Sequence, residues 1–422
     1  MAVRIWIFNH YATDMYFDGA GRHQSFAKYL IRDGNEVKIF CASTVHNSDI
    51  NINTGDKKSV EKIGKDNVPY IFIKTKNYVG NGRQRIRNMI EYYLKIFGVA
   101  RQEIKQSGKP DVILASSVHP LALVAGIKIA KKIGVPCVCE VRDLWPESLV
   151  EVGIIKRNSL IAKILYLGEK WIYKRADKLI FTMPGGLNYI QDREWDEIQI
   201  KKIININNGV DLDEYIANEE NVLVEDKDLD EDGTFKAIYT GSIRTANFVK
   251  DLVEAAAICQ MKGKDKVKFI IYGDGDQRIP LEEAVKNKGL LNIIFKGRVE
   301  KRCIPYILSK GDLNIVTGED SELGRYGVSW NKIFEYMASG KPIVANYNLH
   351  DFNLIEQYQF GIGKRFESID AFAKAIIHMS ELSGEEYAVY GRNALKAASD
   401  FDYKNLTKQL TVILKQAIKE KR

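Results

Sequence analysis

An α/β protein built from two doubly wound, parallel-sheet domains is the fold class this sequence predicts, and three observations carry it. Short apolar runs alternate with helical stretches along both halves of the chain. An acidic, irregular stretch separates the halves. The 422 residues suffice for two cores of about 200 residues each.

In the first half, buried strands are expected at Val3–Phe8, Val37–Cys41, Tyr70–Ile73, Val112–Ala115, Cys137–Val141 and Leu179–Phe181. Gly34-Asn35 and Gly134-Val135-Pro136 punctuate the junctions between helix and strand. From Glu214 to Asp232 acidic residues dominate and Lys227 is the one cation, which reads as an interdomain linker or a surface excursion. Alternation then restarts with strands at Phe235–Tyr239, Val267–Tyr272, Ile293–Phe295, Leu313–Val316 and Ile343–Ala345. The expected boundaries are a first domain over 1–212, a linker over 213–233, a second domain over 234–400 and a final helix over 401–422. Two such domains facing each other would put a cleft at the C-terminal ends of both sheets, where ligands bind in doubly wound folds.

Composition excludes several classes. Apolar residues make up 45% and charged residues 28%, as in an ordinary globular protein. There is no run of 18 apolar residues, so no spanning helix is expected. The start, Met-Ala-Val-Arg-Ile-Trp-Ile-Phe, reads as a strand rather than a signal peptide. The five cysteines are scattered without metal-ligand spacing, so no metal is expected and a reducing cytoplasm fits. The net charge of +7 is modest and gives no sign of a nucleic-acid partner. It is unevenly spread. Arg83, Arg85, Arg87, Lys95, Arg101, Lys105 and Lys109 face only Glu91 and Glu103, with apolar residues at Ile86, Ile90, Tyr93, Phe97, Ala100 and Ile104. That is a basic amphipathic helix, suited to a core contact on one side and an anionic membrane surface on the other.

The segment Gly324–Ala345 is the most informative about function. It reads as a glycine-bearing loop, a helix capped by Ser329, a stop at Gly340 before Pro342, and a buried strand. Gly327, Val328 and Ser329 would then present backbone N–H groups at the positive end of a helix dipole, a geometry for phosphate, with Asn331 a further donor-binding candidate. Lys332 in the first turn adds a full charge. Glu335 shares a face with Asn331 and Lys332, placed to accept hydrogen bonds from ribose or sugar hydroxyls.

The run Asn331-Lys-Ile-Phe-Glu-Tyr-Met337 ahead of Gly340-Lys-Pro342 resembles the donor-site signature of the retaining GT-B glycosyltransferases of family 4. The resemblance is greatest to the subgroup that builds O-antigens, capsules and exopolysaccharides. It implies a GT-B fold whose last helix crosses back to the N-terminal domain. It also implies that Glu335 binds ribose hydroxyls. The family's first glutamate falls on Gly327, so that carboxylate is missing, and Glu319 and Glu322 are its candidate substitutes. Where the family has an arginine and a lysine that neutralise the donor pyrophosphate, this chain has Ser242 and Asn247, beside Gly241. Arg244 and Lys332 are the candidate replacements.

The resemblance extends to other loops. Gly19 and Gly21 resemble the family's glycine loop, and on their own they allow close backbone approach to a phosphate. His119, after the strand that ends at Ala115, matches a histidine that in the family touches the donor sugar and phosphate. Arg142, Asp143 and Trp145 resemble a motif of the polysaccharide subgroup and are candidates for the acceptor pocket, although Arg142 and Asp143 could equally pair and fix the loop. Gly273 and Arg298 match loops beside the nucleotide base, and a plain surface turn explains Gly273 as well.

Catalysis is therefore expected from His119, Arg244 and Lys332, without metal or cofactor. The donor is expected to be a nucleotide-sugar, with uridine as the base. The acceptor is expected to be a polyprenyl-diphosphate-linked saccharide, met at the inner face of the cytoplasmic membrane. Two other readings stay open: a nucleotide-sugar epimerase or phosphorylase on the same fold, and a non-catalytic partner that binds nucleotide-sugar at a membrane surface.

Overall fold

A computed structural model describes residues 2–80, 82–117 and 119–421. The chain divides into two compact units, Met1–Asn207 with Tyr403–Arg422, and Asn208–Asp402.

In the first unit the strands are β1 (Arg4–Phe8), β2 (Glu36–Ala42), β3 (Ser59–Ile63), β4 (Pro69–Ile73), β5 (Val112–Ser116), β6 (Cys137–Val141), β7 (Lys178–Phe181) and β8 (Ile203–Asn205). Among the described residues they form one sheet in the order β3-β4-β2-β1-β5-β6-β7-β8, parallel except for β3 against β4. The order reverses between β1 and β5, so their C-terminal ends flank the crevice where such sheets bind ligands. The inner strands are buried on both faces, which is why they read in sequence as unbroken apolar runs. β3 (SVEKI) is an exposed edge with alternating charge, and this is why periodicity did not mark it as a strand.

One face of this sheet carries the helices Arg83–Ser107, Pro120–Ile133 and Leu160–Arg175, with the middle one packed on both neighbours. The other face carries Arg22–Arg32 and the final helix, Tyr403–Lys421. The final helix re-enters this unit by burying Leu406, Leu410, Ile413, Leu414 and Ala417. The Arg83–Ser107 helix buries Met89, Tyr92, Ile96, Val99 and Ala100. The apolar stripe expected from sequence is thus shifted, and Ile86 and Ile90 stay exposed together with Leu94.

In the second unit the strands are β9 (Phe235–Thr240), β10 (Val267–Tyr272), β11 (Ile293–Gly297), β12 (Leu313–Thr317), β13 (Ile343–Asn346) and β14 (Gly361–Lys364). They form a parallel sheet in the order β11-β10-β9-β12-β13-β14, reversing between β9 and β12. The acidic segment 213–233, read from sequence as a linker, lies inside this unit. Asp211 caps the helix Leu212–Asn221, which packs on the helix Ile304–Ser309. Asp226 and Asp228 both pair with Lys296 on β11, and Leu229 is buried. Charge density suggested a solvated tether; one buried leucine and a shared lysine fasten it to the sheet instead.

Candidate functional site

Each unit brings the sequence-marked residues together at the C-terminal ends of its strands. In the second unit the loops after β9, β10 and β11 interlock. Gly241 donates its N–H to Tyr272 (2.9 Å), and Gly273 donates to Gly297 (2.8 Å). A Cβ on Gly273 would lie 1.7 Å from the Gly241 carbonyl oxygen. Glycine at 273 is therefore explained by loop-to-loop packing, and its own N–H is already used. Arg298 follows at the same sheet end and is exposed.

The helix Asn331–Ala338 starts with Trp330 at its N-cap and carries no side-chain cap. Ser329, expected as the cap, instead accepts the Asn208 N–H on its Oγ (2.8 Å) and the Asn208 side-chain N–H on its carbonyl (2.6 Å). The first-turn N–H groups are left without a side-chain acceptor, an arrangement suited to an anion at Asn331 and Lys332. Val328 packs its side chain against the core, and Gly340, at φ 65°, ends the helix as the sequence indicated. Gly327 sits at φ 83°, a conformation that disfavours any side chain. The loop geometry, and not only the residue, excludes the family's first glutamate there. Glu319 and Glu322 are exposed.

Lys332 is the centre of this site. Its ammonium donates to the Tyr239 hydroxyl (3.2 Å) and lies 4.3 Å from that ring's centroid. Burial pulls it down to about 8, against the opposing pull of the Glu335 charge. Gly241 faces it directly, since a Cβ there would lie 2.7 Å from Lys332 Nζ. Ser242 and Asn247, standing where the resemblance calls for two cations, hydrogen-bond each other (Oγ to Oδ1, 3.0 Å). Arg244 begins the next turn with its side chain exposed. Glu335 pairs with Lys301, just past β11 (3.1 Å). Tyr239 and Lys301 gave no motif signal, because each meets its partner, Lys332 and Glu335, only when distant segments pack together.

In the first unit Gly19 (φ 61°) and Gly21 (φ 111°) precede the helix Arg22–Arg32, whose N-terminus also lacks a side-chain cap. The helix start is fastened by Glu140 at the end of β6, a fully buried carboxylate that sequence reading left without a role. It accepts from Arg22 Nε (2.8 Å), Ser116 Oγ (2.7 Å) and His23 Nε2 (2.9 Å). Burial alone would push this carboxyl up, but Arg22 and His23 hold it well below the usual carboxylate range.

His119 is buried and its Nε2 meets His10 Nδ1 at 2.6 Å, while His10 Nε2 meets Asn88 Oδ1 at 2.7 Å. The tautomers follow from the far end of this chain. Asn88 Nδ2 donates to the Lys76 carbonyl (2.6 Å), so Asn88 Oδ1 must accept from His10. His10 Nδ1 is then the acceptor for the His119 Nε2 proton. His119 Nδ1 is left as a buried lone pair with no partner among the described residues. Burial, reinforced by Arg85, lowers His119 to about 3, and burial with His119 holds His10 well below its ordinary value. Both rings are neutral at physiological pH, so His119 offers an acceptor for a hydroxyl donor such as a sugar.

Arg142 and Asp143 form no ion pair with each other among the described residues. Arg142 keeps a buried Nε without a partner, and its backbone N–H donates to Ser117 Oγ (3.0 Å). Burial raises the Asp143 carboxyl, and Trp145 is half-buried beside it. A guanidinium with an unused donor, a hydrophobic-shielded carboxyl and an indole are chemically suited to a polar sugar acceptor.

Comparison with known proteins places this geometry. Residues 17–214 match the profile described as Glycosyltransferase Family 4, and residues 234–381 match that of Glycosyl transferases group 1. A probable glycosyltransferase, WbjE, from Pseudomonas aeruginosa is 24% identical over 245 residues, 56% of this chain, and the chain spans 57% of that relative's length. The fold is shared with sucrose-phosphate synthase from Thermosynechococcus elongatus (16% identity, 99% of each chain, TM-score 0.69). It is also shared with α,α-trehalose 6-phosphate synthase from Burkholderia multivorans (12% identity, all of each chain, TM-score 0.71). Anabaena HepE, solved with UDP and glucose, superposes with TM-score 0.66 at 16% identity over 98% of this chain and 99% of its own.

Two outcomes test the site. If the Lys332 ammonium titrates near 8 when free, a bound diphosphate will restore its charge. Calorimetry in buffers of differing ionisation enthalpy should then show uptake of roughly one proton at pH about 9, with affinity falling ~tenfold per pH unit above 8. Uptake that persists in Lys332→Met would move the proton to another group. Separately, nitrogen-15 spectra of labelled histidines should show His119 Nδ1 as the unprotonated nitrogen and Nε2 as the protonated one. In Asn88→Asp the new carboxylate favours a second proton on His10, which would donate to His119 Nε2 and reverse the assignment. A protonated His119 Nδ1 in the unmodified protein would refute the relay.

Proposed function

The chain belongs to the family 4 (group 1) glycosyltransferases, and we propose that it moves a sugar from a UDP-sugar donor to a lipid-linked saccharide. The acceptor in this reading is carried on polyprenyl diphosphate, and the product is a bacterial surface polysaccharide: O-antigen, capsule or exopolysaccharide. The observation that carries the donor assignment is the meeting of Lys332, Gly241 and an uncapped helix start at the switch point of the second sheet. The UDP seen in the HepE structure supports the choice of base.

In the proposed reaction the donor diphosphate lies against the Asn331–Lys332 N–H groups and the Lys332 ammonium, with Arg244 swinging in from its exposed position. These groups stabilise the charge that develops on the leaving phosphate as the bond to the anomeric carbon breaks. The acceptor hydroxyl forms its new bond on the same face and gives its proton to the departing phosphate oxygen, so configuration is retained. Lys332 and Arg244 supply positive charge where a divalent ion would otherwise serve, so we place this enzyme among the metal-independent transferases. Glu335 holds ribose hydroxyls after exchanging its contact with Lys301. His119 Nδ1 accepts from a sugar hydroxyl, and Arg142, Asp143 and Trp145 meet the acceptor.

Among the described residues no helix is long and apolar enough to cross a membrane. In this reading the acceptor is met at the cytoplasmic face of the membrane, and the basic Arg83–Ser107 helix suits anionic headgroups.

UDP or GDP should raise the melting temperature of the protein by mass action. Lys332→Ala should weaken diphosphate binding by about 1.5–3 kcal/mol, the scale of a charge-assisted hydrogen bond. Undiminished binding in this variant would show the anion site to be misplaced. A transfer assay with lipid-linked and free saccharides separates the enzyme readings, since turnover of donor without acceptor would point to an epimerase or hydrolase. Reversal of Arg83, Arg85 and Arg87 to Glu should release the protein from anionic vesicles in low salt while leaving nucleotide affinity intact. Retention on vesicles despite the reversal would remove this helix from the membrane contact.

A further inference from the structure

The helix Leu160–Arg175 starts at a Ser159 cap and buries Ala162, Glu169, Ile172 and Tyr173. Its opposite face turns apolar side chains to solvent. Leu160 is 74% exposed, Ile164 57% and Leu167 67%, and Trp171 continues the same line at helical spacing. Ile161, and Val152 and Ile154 just upstream, are exposed as well. Isolated surface leucines are ordinary, but a continuous stripe on one helix marks a contact surface.

The chemistry around the stripe selects its partner. Lys163, Lys174 and Arg175 flank it in exposed positions, with the Arg175 guanidinium 4.5 Å from the Trp171 ring centroid. The helix's single carboxylate, Glu169, points inward and accepts from the hydroxyls of Tyr173 (2.7 Å) and Tyr189 (2.8 Å). A second copy docking on this face would set cations against cations, whereas an anionic bilayer offers both hydrocarbon and complementary charge. The helix lies in the same layer as Arg83–Ser107, which also leaves Ile86, Ile90 and Leu94 exposed among arginines.

Beneath the stripe is a cavity of about 240 Å³, walled by Pro120, Leu121, Val124, Trp145, Ile164 and Leu165. Ser117 and Asp143 also border it. Burial raises Glu169, the other carboxyl on its wall, to about 8, so that group is uncharged at neutral pH. The cavity is thus apolar over most of its wall and opens beside an apolar helix face.

We propose that the Leu160–Arg175 face docks on an anionic lipid bilayer and that the cavity behind it receives a hydrocarbon chain from that bilayer. Only the identity of the chain, as the carrier of the acceptor saccharide, rests on the function proposed above. Docking through this face adds apolar contact to the charge attraction of the cationic side chains, so part of the binding survives added salt.

Sedimentation of the full-length protein with vesicles of phosphatidylcholine and phosphatidylglycerol, in low and high salt, tests the docking. Leu160→Ser, Ile164→Ser and Leu167→Ser together should weaken partitioning about tenfold or more and abolish the salt-resistant part, with the circular dichroism unchanged. Equal partitioning of the triple variant overturns the docking claim. So does a wild-type dimer that the triple variant dissolves without change in vesicle binding, which would make the face a self-association surface. For the cavity, Gly168→Leu is the probe, because a Cβ at Gly168 meets nothing within 4 Å. It should weaken binding of a dansyl-labelled long-chain alcohol about tenfold while vesicle docking persists, and equal affinity in both proteins overturns the chain site. Neither measurement involves donor or turnover, so a failure here is distinct from a failure of the transferase reading.

Discussion

A lysine ammonium held partly out of water, with a tyrosine as its only hydrogen-bond partner among the described residues, is the constraint on which the proposed donor site depends. Lys332 rests on Tyr239 without a carboxylate in contact, and its desolvation is what lowers its proton affinity. Such a group is incompletely compensated until an anion arrives. Around it the loops after β9 and β10 are packed so closely that a side chain at 273 would strike the Gly241 backbone, while one at 241 would meet the Lys332 ammonium itself. The helix that carries it begins without a side-chain cap, and Ser329, one residue ahead of its N-cap, is committed to Asn208. Charge, space and dipole thus converge on one locus. The hydrogen bond between Ser242 and Asn247 sharpens the point, because two neutral side chains stand beside that locus and leave the positive charge to Lys332 and Arg244.

The first unit solves a different problem with the same economy of parts. Glu140 gathers Arg22, His23 and Ser116 under a glycine-led helix start, so the loop at Gly19–Gly21 is anchored through a buried, fully paired carboxylate. Alongside it the Asn88–His10–His119 chain contains no full charge. It transmits orientation only: a backbone carbonyl at Lys76 decides, three groups away, that His119 presents a lone pair. One network fixes a backbone and the other fixes a proton.

Much of this was legible in the sequence. Inner strands such as Val112–Ser116 and Ile343–Asn346 are buried on both faces, and unbroken apolar runs report that directly. The Gly340 stop and the Asn331–Glu335 spacing were equally plain, since both are local. What escaped was whatever depends on packing between distant segments. The Ser329 cap failed because Asn208, 121 residues away, competes for the same hydroxyl. The acidic segment after Asp211 looked like a linker because Lys296, which holds it, lies about 70 residues downstream. The stripe on Arg83–Ser107 was displaced because the packing of the helix on its unit turns Tyr92 and Ile96 inward and leaves Ile90 in solvent, a rotation that spacing alone does not fix. The solvent-facing leucines of Leu160–Arg175 drew no reading from sequence, since an apolar residue on a helix does not by itself say which face is buried.

The central claim, that a nucleoside diphosphate is gripped by Lys332 and the start of its helix, is tested most directly by a crystal structure of the protein with UDP. The account predicts phosphate oxygens within hydrogen-bonding distance of Lys332 Nζ and of the Asn331 or Lys332 backbone N–H. Phosphates bound elsewhere, with Lys332 still engaged only by Tyr239, would contradict it.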